Sequence, residues 1–218
     1  SNMTLSSVIK AGAVCAAVAA LILIGMGVVA GGAVEALAIL GQPGTPEQYA
    51  DAIRPVVGAL LWAMALDNLF LIAYTGAFAG AAALVWERAE RAKLFAGVGL
   101  GFALLLALLD VIENAMTVDM VRAVQGGIAI PGWEISALGL AEQVKYACGA
   151  VTVVFFAVGL WIALPKSRYA KGVAVLFLLF PLTNVVKVVS GSSLLLLLWM
   201  LVMLGASAGL LWREGRSV

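Results

Sequence analysis

The chain has 218 residues, of which 64% are hydrophobic and only 11% are charged, with a formal net charge of +1. Soluble domains carry about 25% charged residues, so this chain cannot cover the surface of a soluble domain, and soluble enzymes, secreted domains and disordered chains are excluded. The near balance of thirteen basic and twelve acidic residues also excludes the basic surface that nucleic-acid binding requires.

Six apolar stretches are long enough to cross a bilayer, which takes about 20 mainly apolar residues per helix. The predicted spans cover residues 9–31, 55–86, 94–118, 137–164, 172–189 and 193–212. The predicted fold class is therefore an all-α integral membrane protein, a bundle of six transmembrane helices that forms a single membrane domain over residues 3–218. Ser1 and Asn2 precede Met3 and are interpreted as an expression scar.

The basic residues lie mostly on one side of the predicted bundle. Nine of the thirteen are in segments that share a side with the two termini, namely Lys10, Arg88, Arg91, Lys93, Lys166, Arg168, Lys171, Arg213 and Arg216. Because basic residues are enriched in cytoplasmic segments, we expect both termini in the cytoplasm and the protein in a bacterial-type inner membrane. Residues 32–54 and 119–136 are then external loops, and Thr45 in the first loop is predicted to cap a short helix.

Glycines recur four residues apart at several places in the spans, a spacing that lets helices approach closely in lipid. The pairs are Gly27/Gly31, Gly76/Gly80, Gly97/Gly101 and Gly205/Gly209. We interpret them as tight packing inside the bundle. A homodimer through these small-residue faces is the alternative.

The residue types that are missing narrow the chemistry. The chain contains no histidine, which excludes His-ligated haem, zinc or copper and His-based nucleophile pairs. Cys15 and Cys148 both lie in apolar stretches and are predicted to be buried structural thiols. No organic cofactor is predicted.

Charged residues inside the spans are the main functional signal. Six ionisable residues lie in the spans or near their ends, namely Asp67, Asp110, Glu113, Glu142, Lys145 and Lys187. Each costs about 2.5–3.5 kcal/mol at the bilayer centre, so we expect them to face the bundle interior. At about 1.5 Å per residue, they fall roughly 22–33 Å above the cytoplasmic boundary, in the outer third of the membrane. Four carboxylates and two amines predict one outward-facing polar site with an excess of negative charge.

Helical spacing selects the candidate binding residues. Residues three and four apart share one face of a helix, so Asp110, Glu113 and Asn114 form one stripe, and Glu142 is a candidate partner for Lys145 on its own helix. The primary candidates are Asp67, Asp110, Glu113, Asn114 and Lys145, and the secondary candidates are Tyr74, Asn184 and Lys187.

The preferred interpretation is a transporter, or a membrane protein that binds an ion or a small solute. Carboxylates together with Asn and Tyr oxygens suit a proton or a cation such as Na⁺, Ca²⁺ or Mg²⁺, and Asp67, Asp110 and Glu113 are the candidate metal ligands. A lysine beside them suits a zwitterionic solute. Besides this solute or cation, the expected partner is the lipid bilayer.

Two alternatives stay open. One is a membrane enzyme acting on lipid or peptide, in which Asp67 and Asp110 share a proton or Asp110 and Glu113 hold Mg²⁺. The Gly-x-Gly-Asp motif of intramembrane aspartyl proteases and the Gly-x-Ser-x-Gly motif are both absent from the sequence. The other is a structural or accessory subunit whose charges pair only to clasp neighbouring helices.

Overall fold

A computed structural model describes residues 4–40, 42–190 and 194–217. This part of the chain is 90% helical and contains no strand. Its helices are α1 (Leu5–Val29), α2 (Val34–Ile39), α3 (Pro46–Ile53), α4 (Val57–Arg88), α5 (Lys93–Gln125), α6 (Gly132–Ala163), α7 (Arg168–Ser190) and α8 (Leu194–Glu214). Six helices in the described ranges, α1 and α4 to α8, are long and apolar enough to cross a membrane. The chain is thus a multi-pass, all-α protein of the membrane type.

The second predicted loop is much shorter than expected. α5 continues to Gln125 and α6 already begins at Gly132, so the connection is 126–131 and not 119–136. A helix does not end where the apolar run ends; it ends where the backbone is redirected. Here Gly126 follows the last helical residue and Gly127 has a φ of 65°, the left-handed conformation that terminates many helices.

The first loop folds into the two short helices α2 and α3. Thr45 is the N-cap of α3, as predicted: its hydroxyl accepts from the Gln48 backbone N–H at 3.3 Å, and the Gln48 side chain accepts from the Thr45 N–H at 2.9 Å. The buried Tyr49 and Ile53 of α3 join an apolar cluster with Leu60 of α4. The loop is therefore a folded cap on the bundle.

The six long helices form a closed ring. In the described chain each packs chiefly against two others, in the order α4, α5, α6, α7, α8, α1 and back to α4. The Ser6 hydroxyl donates to the Gly215 carbonyl oxygen at 2.7 Å, so the two termini meet at one end of the ring, here called the termini end. The opposite end, which carries α2 and α3, is the loop end. Which side of a membrane each end faces stays a prediction.

The termini end is filled by apolar side chains. Its core includes Leu84, Val85, Phe156, Leu160 and Leu210, all at most 1% exposed. These residues come from α4, α6 and α8, so they close the middle of the ring at this end. Charged residues are nearly absent from the spans at this end.

Close backbone contact joins α1 to α4. A Cβ built on Gly80 would lie 2.6 Å from the Gly12 Cα, and one built on Gly76 would lie 2.6 Å from the Cys15 Sγ. The prediction of tight internal packing is right for Gly76/Gly80.

That prediction is wrong for Gly27/Gly31 and Gly97/Gly101 and holds for one member of Gly205/Gly209. Apart from local backbone, no heavy atom of the described structure lies within 4 Å of a Cβ built on Gly27, Gly31, Gly97, Gly101 or Gly205, whereas a Cβ built on Gly209 would lie 2.6 Å from the Tyr169 hydroxyl oxygen. Spacing alone places two glycines on one face, but only a facing small residue, such as Gly12, lets the backbones meet. Cys148 is buried as predicted, whereas Cys15 is half-buried, and both thiols are free.

Candidate functional site

A central cavity of about 410 Å³, partly open to its surroundings, lies inside the ring of helices. All six long helices contribute to its wall, and Leu37 of α2 and Leu40, which directly follows α2, reach it from the loop end. Most of the wall is apolar and aromatic, and the charged residues of α4 to α7 lie on one part of it. We call these charged residues and their hydrogen-bonding partners the polar network, comprising Asp67, Asn68, Tyr74, Asp110, Glu113, Asn114, Glu142, Lys145, Tyr146 and Lys187.

Lys145 is the first of two cationic centres in this network. Its Nζ lies 3.1 Å from Asp110 Oδ1 and also contacts Glu113 Oε2, so one amine on α6 pairs with two carboxylates on α5. Side chains three apart on α5 present both carboxylates to the facing helix. Glu142, the candidate partner on the same helix, does not pair with Lys145, because the two acids of α5 take the amine.

Lys187 is the second cationic centre, and it takes Glu142. Its Nζ lies 3.0 Å from Glu142 Oε1 and donates to the Tyr146 hydroxyl, so α7 is tied to α6. The same ammonium lies 4.3 Å from the centroid of the Tyr146 ring. Both lysines of the network are thus satisfied by groups of the protein.

The contacts between α4 and α5 complete the network. The Tyr74 hydroxyl donates to Asp110 Oδ2 at 2.5 Å. Asn114 Nδ2 donates to Asp67 Oδ2 at 2.8 Å and to Asn68 Oδ1 at 3.2 Å. Asp110 and Asn114 are buried, at 8% and 4% exposure.

Asp67 is the exception among the four carboxylates. Asp110, Glu113 and Glu142 each pair with a lysine, whereas no ion pair to Asp67 is present in the described ranges. In the described structure it accepts a hydrogen bond from the neutral amide of Asn114.

Seven of the eight candidates from the sequence lie on the wall of the same cavity. They are Asp67, Tyr74, Asp110, Glu113, Asn114, Lys145 and Lys187. Asn184 does not line it; its buried Oδ1 has no hydrogen-bond partner in the part of the chain that the structure describes. The predicted convergence of charged groups from four helices is therefore present.

Sequence reasoning left several wall residues out of the candidate set. Glu142 and Tyr146 belong to the network, and the spacing 142, 145, 146 on α6 is the signal for them. Phe70 and Phe78 flank Tyr74 at four-residue intervals on α4, and their rings meet Tyr74 edge-on at 5.3 and 6.1 Å between centroids. That spacing alone does not separate cavity wall from solid core.

The described geometry offers no ready-made metal centre. Among the described residues no group of three or more His, Cys, Asp or Glu is arranged to hold a metal ion. The amine of Lys145 lies against both Asp110 and Glu113, where a metal would have to sit. Asp67 and Asp110 take different donors, Asn114 and Tyr74.

Comparisons with known proteins add no assignment. No family model matches the chain, and no curated protein and no solved structure matches it either. The function therefore has to be argued from the cavity and its wall.

Proposed function

We propose that this protein is an inner-membrane transporter that binds a small solute in its central cavity. The observation that carries the proposal is a cavity of about 410 Å³, lined by six membrane-type helices and bearing charged groups from four of them. Small-molecule sites are usually cavities of about 300–1,000 Å³ with an apolar wall and a few polar groups. The wall of this cavity has that composition.

The size of the cavity argues against a purely structural role for the charges. Protein interiors contain few voids larger than a water molecule, so a space of about 410 Å³ between packed helices is unusual. A bundle that used its charges only to hold helices together would gain stability by closing this space. Retention of the space is the feature that a ligand explains.

The two ends of the cavity differ, as alternating access requires. The termini end is blocked by the tightly packed core around Phe156 and Leu160. Towards the loop end the wall is completed by Leu37 of the short helix α2 and by Leu40, which directly follows that helix. We propose that the solute enters from the loop end, past a segment of only six helical residues.

A cavity-filling variant tests this proposal. Ala77 lines the cavity on α4, whereas Ile72 on the same helix is 66% exposed on the outside of the ring. We expect Ala77→Phe to abolish the melting shift that a bound solute causes in wild type, and Ile72→Phe to retain it. A library of small solutes screened by melting, followed by uptake into proteoliposomes, provides the measurement. A library in which no solute shifts the wild type, or shifts both variants equally, would contradict the proposal.

The predicted orientation has its own test. Gln42 and Gln125 are exposed near the loop end, and Glu87 is exposed near the termini end. We expect cysteines introduced at Gln42 and Gln125 to react with an impermeant thiol reagent added outside the cell. A cysteine at Glu87 should react only after the membrane is opened. The reverse pattern would place the loop end in the cytoplasm.

A structural clasp is the second candidate, and the pairing of both lysines favours it. Lys145 joins α5 to α6 and Lys187 joins α6 to α7, which is what a subunit without a ligand would need. A clasp predicts that no solute affects the melting of wild type. It also predicts that charge-neutral replacement of a whole pair leaves the fold intact, as redesigned buried ion pairs often do.

A further inference from the structure

The distribution of charge on the cavity wall points to the class of ligand. We propose that the cavity binds a monovalent organic cation with an apolar body, such as a quaternary or protonated amine, with its positive head against Asp67. This inference rests on the proposed function and names the solute of the same site.

The pairing of both lysines disfavours an anionic or zwitterionic solute. Lys145 already has two carboxylates within contact, and Lys187 has Glu142 and the Tyr146 hydroxyl. A ligand carboxylate would have to displace one of these fixed partners. The four carboxylates and two amines leave the wall with an excess of negative charge, so electrostatic complementarity favours a cation.

Asp67 is the group that lacks a counter-ion. It lines the cavity, it accepts one hydrogen bond from Asn114, and no lysine or arginine in the described ranges pairs with it. A carboxylate removed from water is costly unless a charge or several hydrogen bonds compensate it. A cationic head at this position would supply the missing charge.

The rest of the wall suits an apolar body with a positive end. Phe70, Tyr74 and Phe78 line the cavity along α4, and Phe177 and Phe180 line it from α7. Aromatic ring faces attract ammonium groups within about 6 Å. A largely apolar and aromatic wall that also carries a carboxylate without an ion pair in the described ranges therefore suits an organic cation.

The dimensions exclude a smaller ligand as the main occupant. A bare metal ion would leave most of a cavity of about 410 Å³ unfilled, and the described residues offer no set of metal ligands. A ligand with an aromatic or short alkyl body fills such a space and replaces the contacts that its wall lacks.

Three probes of the same shape test the charge preference. Phenyltrimethylammonium is cationic, tert-butylbenzene is its neutral isostere, and benzenesulfonate is an anion of similar body. We would measure equilibrium binding to the full chain in nanodiscs of zwitterionic lipid. The cation should bind at least about tenfold more tightly than the neutral isostere, and the anion should not bind.

Asp67→Asn is the matched variant, because it removes the charge and keeps the shape. We expect the cation and the neutral isostere to bind this variant with nearly equal affinity. Asp51→Asn is the control: Asp51 is exposed on α3, pairs with Arg54 and does not line the central cavity. It should keep the wild-type preference. The comparison of the three probes on wild type stands even if Asp67→Asn does not fold.

The outcomes separate this inference from the proposed function. Equal binding of the cation and the neutral isostere to wild type, blocked by Ala77→Phe, would overturn the ligand class and leave the cavity as a binding site. If the cation does not bind, while Ala77→Phe blocks the binding of a different solute from the screen, the ligand class would also be wrong and the cavity would still be a binding site. If no solute binds at all, both proposals are wrong.

Discussion

The termini end and the polar network hold the same ring of helices together in different ways. At the termini end, apolar side chains such as Leu84 and Phe156 fill the space between the helices, and Gly12 and Gly80 bring two backbones into contact. Around the network the helices are joined by ion pairs and hydrogen bonds, and a cavity stays open beside them. Apolar packing therefore closes one part of the ring, whereas charge pairing fixes the other part without filling it.

The difference has a physical cause. Dispersion contacts are short-range and non-directional, so apolar residues stabilise helices only when they fill space completely. Ion pairs act through a few atoms at fixed positions, and each long side chain spans a gap. Lys145 and Lys187 can thus hold α5, α6 and α7 in register around a cavity that Leu or Phe side chains would have closed.

Removal of Lys145 should have the largest effect on stability. Lys145→Met leaves Asp110 and Glu113 facing each other without their amine, and loss of one member of a buried pair costs about 3–5 kcal/mol. We expect a large fall in the free energy of unfolding, measured by denaturation in detergent.

The matched control for this change lies outside the cavity. Lys93 pairs with Glu90 at 2.6 Å, and the Glu90 side chain is 83% exposed. An exposed pair contributes about 0–1 kcal/mol, so Lys93→Met should have little effect. Addition of Asp110→Asn and Glu113→Gln to Lys145→Met should restore much of the loss. Equal effects of Lys145→Met and Lys93→Met would remove the contrast between the two regions.

The helix contact at Gly80 should have an intermediate effect. Gly80→Ala places a methyl group 2.6 Å from the Gly12 Cα, which is backbone and cannot rotate away. Overpacking of this kind costs about 1–3 kcal/mol. Gly97→Ala is the control, since its Cβ meets no atom within 4 Å in the described structure, and it should be neutral or slightly stabilising because alanine favours the helix. A smaller loss for Gly80→Ala than for Gly97→Ala would show that the α1–α4 contact is looser than described.

Much of the fold follows from patterns that the sequence displays directly. Six apolar runs indicate six long helices, and the cost of intramembrane charge predicts that Asp67, Asp110, Glu113 and Lys145 face inward. Counting residues from the ends of antiparallel helices then predicts that these residues lie at one level in the bundle. The structure places them on one cavity wall.

Partner choice and loop length could not be predicted in the same way. The three-residue spacing of Glu142 and Lys145 allows a pair within α6. Only the relative rotation of α5, α6 and α7 decides that Glu142 pairs with Lys187 instead. Likewise, the end of α5 depends on the backbone at Gly126 and Gly127, not on hydropathy. Asn184 shows the same limit, because its height was predictable but its position on the wall was not.

The smallest expected effect concerns the cap at the loop end and extends the comparison to a third element. α3 has eight residues and is far shorter than an isolated helix needs to be stable in water. Its stability therefore depends on the Thr45 capping box and on burial of Tyr49 and Ile53, which are 0% exposed.

Thr45→Ala removes the oxygen that accepts the Gln48 N–H and should cost about 1 kcal/mol. We expect this segment to open independently of the long helices, so the loss should appear as roughly fivefold faster hydrogen exchange of the α3 amides. The unfolding midpoint of the whole ring should not change. Thr45→Ser keeps the hydroxyl and should keep the slow exchange. A fall in the global midpoint with Thr45→Ala would instead show that the cap and the helix ring unfold as one cooperative unit, and entry of a solute past α2 would then require more than local opening.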